Sequence, residues 1–213
     1  MIALLTGGAG VVGKALCREL IARGVCVRVL TLPGDSLAKS LPQEVDVRYG
    51  DVTDFDSIKS AFEGVDVVYH LAAILLSTKR SAFEHVNTEG TRHVLEACKL
   101  AGVRRFLYVS SISVTYPVLT PYGESKKKGE VLVHASGLDW TIVRPTLVIG
   151  DGGGVEYNMF RDYVKKFPIY LCRGEASASS DRSAVSIWSR ALPLPGLKRR
   201  RLAKRMHLQA RPS

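Results

Sequence analysis

A tyrosine and a lysine stand at i and i+4 in Tyr122-Gly123-Glu124-Ser125-Lys126, a spacing that puts both on one face of a helix, one turn apart. A phenol near pKa ~10 exchanges protons poorly at neutral pH, whereas an adjacent ammonium stabilises its phenolate and brings it toward the working range. Upstream, Ser110 and Ser111 close the strand-like run Phe106 to Val109, where a hydroxyl can bind a reacting carbonyl or alcohol oxygen. Ser113 competes with them, and its place in the serine pair favours Ser111. A Tyr/Lys pair by itself is also commonplace on a solvated helix, and Lys126-Lys127-Lys128 reads equally as a basic face.

A second group of residues gives the pair a context. Thr6-Gly7-Gly8-Ala9-Gly10-Val11-Val12-Gly13 lies between an apolar strand and a helical pattern. Gly8, Gly10 and Gly13 satisfy GxGxxG, and Gly7, Gly10 and Gly13 satisfy GxxGxxG. The physical need is a tight turn, close backbone approach to a pyrophosphate, and a helix N-terminus whose amide groups favour an anion. Asp51 and Val52 follow the third strand, where an adenine would lie, and His70-Leu71-Ala72-Ala73 ends the fourth, beside the expected nicotinamide ribose. Asp51 also reads as part of a helix N-cap cluster. The second strand ends in Thr31-Leu32-Pro33, with neither the acid that holds a 2′-hydroxyl nor the arginine that accepts a 2′-phosphate. Arg28 is inside that strand and Lys39 lies beyond it, so the cofactor reads as NAD, with NADP the alternative.

These residues need an alternating α/β framework to bring them together. Apolar periodicity predicts strands at Ile2 to Leu5, Val25 to Leu30, Val45 to Tyr49, Asp66 to Leu71, Phe106 to Val109 and Trp140 to Val143. Between them it predicts helices at Val12 to Arg23, Asp54 to Phe62, Arg80 to Ala101 and Tyr122 to Ala135. The series implies a doubly wound parallel sheet with helices on both faces. Beyond about residue 150 it decays to one amphipathic helix, Val155 to Phe167, and a short strand, Ile169 to Cys172.

Composition sets the outer limits. At 46% hydrophobic and 23% charged, the 213 residues describe a globular chain with room for one core of ordinary size. The division expected is a dinucleotide-binding domain over 1–171 and a basic, low-periodicity tail over 172–213, poorly ordered or loosely helical. The net charge of +10 is a tail property: residues 1–171 carry 20 Lys+Arg and 18 Asp+Glu, and residues 172–213 carry 10 and 2. The run Lys198 to Arg201 therefore reads as a solvated tail rather than a nucleic-acid anchor. No window holds 18 consecutive apolar residues, Met1 is followed at once by an apolar run with no basic n-region, and the four cysteines form no CxxC pair. A cytoplasmic chain with no membrane span is expected. His85, His93 and His134 have no metal-ligand partners at useful spacing, so no metal site is expected.

Taken together, the motifs resemble the short-chain dehydrogenase/reductase superfamily, and within it the extended group of NAD-dependent epimerases and dehydratases. The carriers are TGGAGVVG at 6–13, DV at 51–52, HLAA at 70–73, VNTEGT at 86–91, YVSS at 108–111, YGESK at 122–126 and RP at 144–145. The resemblance implies a Rossmann-type fold and hydride transfer at a hydroxyl or carbonyl group, of a nucleotide sugar or a dihydroflavonol-reductase-like substrate. It implies catalytic roles for Tyr122 as acid/base, Lys126 as the ribose-binding lysine that lowers the tyrosine pKa, and Ser111 as the group that orients the substrate oxygen. It implies a cofactor site made of Gly7, Gly10, Val11, Val12, Gly13, Asp51, Val52, Leu71, Ala72, Ala73, Asn87, Tyr122, Lys126 and Pro145, and a homodimer built on the two long helices. Two departures stand out. Only ten residues separate Ser111 from Tyr122, and 68 follow Pro145 where the group continues well past a hundred, so the substrate domain is expected to be incomplete. A tail of this composition also fits a truncated or frame-shifted gene, and the alternative function is a non-catalytic NAD(P)-binding sensor or an inactive family member.

Overall fold

The computed structural model describes residues 1–146, Val148, Asp162 and the strand His207–Ala210. Strand β1 (Ile2–Thr6) is buried along almost its whole length, and the glycine turn after it leads into helix α1 (Val11–Ala22). Strand β2 (Cys26–Thr31), strand β3 (Asp46–Tyr49), helix α2 (Phe55–Ile58) and strand β4 (Val67–His70) follow. The long predicted helix is divided: α3 (Arg80–Phe83) passes through a π-helical stretch, Glu84–Glu89, into α4 (Gly90–Leu100). Strand β5 (Arg105–Val109), helix α5 (Pro121–His134) and strand β6 (Asp139–Arg144) complete the alternation.

With His207–Ala210 as β7, the sheet has the order β3-β2-β1-β4-β5-β6-β7, and its first six strands are parallel. Because strand side chains alternate, it separates two apolar layers. Leu4, Val68, Phe106, Tyr108 and Ile142 meet Val94, Cys98 and Val133 from α4 and α5. On the opposite face Leu5, Val27, Val29 and Tyr69 meet Leu16, Cys17 and Leu20 from α1. Burial on both faces is why the strands read as continuous apolar runs rather than alternating ones. The order reverses between β1 and β4, which opens a crevice at their carboxyl ends.

Local chemistry sets the helix ends. Thr120 caps α5 by accepting from the Gly123 N–H at 3.1 Å, and Pro121 fills the first turn. Asp54 caps α2, which tightens into a 3₁₀ turn over Lys59–Phe62 instead of remaining one helix to Phe62. Strand β7 (His207–Ala210) pairs antiparallel with β6 at the sheet edge. Periodicity gave no strand in this segment, because an edge strand pairs through backbone groups and needs no apolar pattern. The helix predicted at Val155 to Phe167, the strand at Ile169 to Cys172, the boundary at 171 and the basic run at Lys198 lie outside the described residues.

Candidate active site

The glycine turn joins β1 to α1 at the crevice, and its glycines serve different needs. Gly7 has φ +69°, and a Cβ there would stand 2.8 Å from the Ala72 amide nitrogen. A Cβ on Gly8 would stand 2.6 Å from Val29, and one on Gly13 would overlap the Gly8 backbone. Packing within the chain thus demands these three. Gly10 differs, since the nearest atom to its Cβ would be the Gly7 carbonyl oxygen at 3.4 Å, an ordinary contact. Among the described residues no other atom lies within 4 Å of that Cβ. Gly10 is also the N-cap of α1, with no side-chain capping bond and no acid in the first turn, so the amides of Val11, Val12 and Gly13 have no intrahelical acceptor. A surface of bare amides beside open space is what a pyrophosphate requires. The residues present therefore fit a dinucleotide.

Ser111 sits just past β5 and caps the 3₁₀ turn Ile112–Thr115. Its hydroxyl oxygen accepts from the Ser113 N–H at 3.2 Å and from the Ser113 hydroxyl at 2.9 Å. With both acceptor positions taken, the Ser111 proton is left to donate. The turn is tied to the end of β6, where the Pro145 carbonyl accepts from the Ile112 N–H at 2.9 Å, and it packs on α5, where a Cβ on Gly123 would stand 3.3 Å from the Ser113 carbonyl oxygen. Half-buried Tyr122 lies in the first turn of α5, its ring edge-on to Phe83 at 6.4 Å. One turn further, Lys126 is 1% exposed, and its ammonium lies 4.1 Å from the centroid of the Tyr108 ring. Burial brings the Lys126 pKa down to about 7, with the Glu130 carboxylate acting against that fall.

A buried polar web, largely invisible in the motifs, holds these parts. Asn87 accepts from the Ile74 N–H at 2.9 Å and donates to the Ile74 carbonyl at 3.1 Å and to Ser125 at 3.0 Å. Ser125 in turn donates to the Tyr122 carbonyl at 2.8 Å. Thr91 donates to the Asn87 carbonyl at 2.6 Å, within the stretch where π-helical pairing displaces the usual i→i−4 bond. Its oxygen can then take the His70 Nε2–H at 2.9 Å, which leaves Nδ1 to accept from Thr6 at 2.6 Å. Burial lowers the His70 pKa to about 3, so the ring stays neutral across the working range. Glu130 and Arg144 form a two-bonded fork at 2.8 and 2.7 Å. Burial opposes ionisation of Glu130, but the guanidinium outweighs it and holds the carboxyl below its ordinary range.

Comparison with known proteins settles the family. Residues 7–166 match a family described as NAD(P)H-binding. The chain belongs to it. A 3 beta-hydroxysteroid dehydrogenase/Delta 5-->4-isomerase of Mycobacterium tuberculosis is 33% identical over 210 residues, covering 85% of this chain and 56% of that protein. A short-chain dehydrogenase/reductase superfamily protein from Agrobacterium tumefaciens, solved with bound NAD, is 32% identical with a TM-score of 0.59, covering 68% of this chain and 48% of that one. The Bordetella bronchiseptica enzyme WbmG in complex with NAD is 27% identical with a TM-score of 0.63, covering 70% and 54%. The chain spans about half the length of these relatives.

Within this NAD(P)H-binding, short-chain dehydrogenase/reductase framework the predicted residues take distinct places. Leu71 and Ala72 bond to Thr6 through their amides at 3.0 and 3.3 Å, which sets the start of the 71–73 segment against the Gly7 turn. Asp51 accepts from the Thr53 N–H at 2.8 Å, a local turn contact. Val52 is a core residue against which Gly90 packs, and its carbonyl accepts from His93 Nδ1–H at 2.9 Å. The amide of Asn87 is engaged by the protein itself, which makes it a bracket between the loop after β4 and α5. Thr6, Thr91, Tyr108 and Glu130 have no role of their own in the motifs, and His70, expected beside the nicotinamide ribose, is buried between Thr6 and Thr91. Glu130 could have been found, because it repeats the i,i+4 spacing from Lys126 and an arginine precedes Pro145. Among the described residues no group of His, Cys, Asp or Glu could hold a metal ion, and no helix is long and apolar enough to cross a membrane.

Proposed function

We propose that this chain carries out nicotinamide-dependent oxidation or reduction of a hydroxyl or carbonyl group. The observation that carries this reading is the Ser111 hydroxyl, its acceptor positions occupied by Ser113, on a turn packed against the helix that presents Tyr122 and buries Lys126. When bound, the nicotinamide ring supplies or accepts the hydride. Ser111 donates to the substrate oxygen and orients it. Tyr122 holds or takes the proton at its phenolic oxygen, and the Lys126 ammonium stabilises the phenolate and binds the ribose hydroxyls. The amides of Val11, Val12 and Gly13 bind the pyrophosphate, and the 71–73 segment walls the ribose.

The cofactor reads as NAD. At the end of β2 the Thr31 hydroxyl donates to Asp35 at 2.6 Å, which folds a carboxylate from the following loop back to the strand end. That is where a 2′-hydroxyl is held and where a 2′-phosphate is repelled. Arg28 is occupied elsewhere, bonded to Asp46 and to the Ala61 and Glu63 carbonyls. The substrate reads as an apolar alcohol or ketone, because Leu76, Tyr116 and Val118 are 57%, 52% and 84% exposed on loops leaving β4 and β5 beside the crevice. The hydroxysteroid dehydrogenase relative agrees with this, and a nucleotide sugar is the second reading. Exposed Leu100 on α4 and Val131 on α5 support a homodimer through those helices.

Calorimetry with NAD and NADP, followed by turnover of hydroxysteroid and sugar-nucleotide panels, tests the proposal. NAD binds more tightly, Asp35→Asn narrows the difference, and Tyr122→Phe reduces turnover by about 10²- to 10⁴-fold while leaving NAD binding intact. Binding unaffected by Tyr122→Phe, with no turnover by the parent chain, would assign the molecule to cofactor-holding rather than catalysis.

A further inference from the structure

Lys126 is buried as an amine that must carry charge to do its work, and what receives that charge is an aromatic face. Tyr108 is fully buried near the carboxyl end of β5, with the Lys126 nitrogen 4.1 Å from its ring centroid. The ring is fixed from two directions. From β4 the His70 imidazole stacks on it at 5.7 Å and 30°. From α5 comes Gly129, where a Cβ would overlap the Tyr108 hydroxyl, so the helix has a glycine where the phenol ends. Among the described residues that buried hydroxyl has no hydrogen-bond partner within 3.5 Å, and Thr91 is the side chain that bears on it.

The charges around Lys126 show why a ring is needed. On α5, Tyr122 lies one turn before it and Glu130 one turn after. The Glu130 carboxylate is already bonded twice to Arg144 of β6. His70 of β4 is neutral, and Tyr108 of β5 stays protonated because burial raises its pKa. A desolvated ammonium over a ring face gains electrostatic stabilisation from the quadrupole without a further carboxylate.

We propose that Tyr108 is a positioning residue for Lys126, its ring face holding the ammonium in place on the sheet beside Tyr122. This rests on the proposed function only in taking Lys126 as the lysine that acts with Tyr122. The test follows the lysine Cε resonances of the whole chain by NMR as pH is varied, with Lys126→Met assigning the signal. Tyr108→Phe is compared with phenylalanines carrying one, two and three ring fluorines at position 108, which keep the shape while draining the ring face. Tyr108→Phe titrates like the parent, and the Lys126 midpoint then falls stepwise, by about one pH unit across the series. A flat series, or a shift produced entirely by removing the hydroxyl, overturns the proposal. NAD affinity measured on the same samples separates the two readings. A stepwise fall in a chain that never binds NAD upholds the ring contact and defeats the proposed function.

Discussion

The two halves of the crevice are built on opposite principles. On the β1–β2 side the chemistry belongs to the backbone, and side chains matter by their absence: Gly7, Gly8 and Gly13 let the turn close on Ala72, Val29 and itself, and Gly10 leaves room beside the α1 amides. On the β4–β6 side the chemistry belongs to buried side chains, among them Lys126, Glu130, Asn87, His70 and Tyr108. Each of these is costly to bury alone and is held by others from different elements. Binding should therefore be separable from stability at Gly10 in the first half, and much less so in the second.

The largest effect is expected where a buried charge loses its partner. Glu130→Ala removes the two bonds this carboxylate makes to the Arg144 guanidinium, and chemical denaturation should show a loss of about 3–5 kcal/mol. Next comes Gly13→Ala, which forces a Cβ into the Gly8 backbone. A destabilisation of about 3 kcal/mol in the same assay, with loss of NAD binding, is expected. Gly10→Ala sharpens the contrast. Its melting temperature should stay near that of the parent while calorimetry shows NAD affinity down about tenfold, the cost of intruding on a phosphate rather than on the protein. A Gly10→Ala chain as unstable as Gly13→Ala would erase the distinction between the two positions.

The pH dependence of stability is smaller and has two parts of defined sign. Glu130 has a folded pKa below its unfolded one, so its contribution is present above the ordinary carboxylate range and is lost as pH falls through the folded value. Lys126 has its pKa lowered from 10.5 to about 7, so the unfolded chain binds the proton more readily between those values. Stability should fall as pH drops from 10.5 toward 7 and level off below, and Lys126→Met should remove that slope in urea titrations at stepped pH.

The same division decides how much could be read in advance. The glycine spacing, the apolar strands and the Tyr122/Lys126 period were legible because each is a local pattern, fixed by a tight turn, by burial on both sheet faces or by helix geometry. Asp51 and Asn87 were legible as motif members, but their bonds were not: Asp51 turns to Thr53, and Asn87 to Ile74 and Ser125. The break of the long helix into a π-helical stretch left no periodic signal, since one displaced bond changes the phase of only a few residues. Strand β7 left none either, because its pairing is made by backbone alone.

What the sequence determined by itself was therefore the α/β alternation, the glycine turn and the one-turn spacing of Tyr122 and Lys126, all set by neighbours within a few residues. The tertiary structure decided which groups those residues meet. It carries Asp35 back to the end of β2, sets Ser113 against Ser111 and the start of α5, and lays Lys126 on the ring of Tyr108. The contacts of Ser113 with Gly123 and of Lys126 with Tyr108 join elements that meet only in the folded sheet and its layers. Their strength comes from exclusion of water, a condition that no stretch of sequence meets until the layers close.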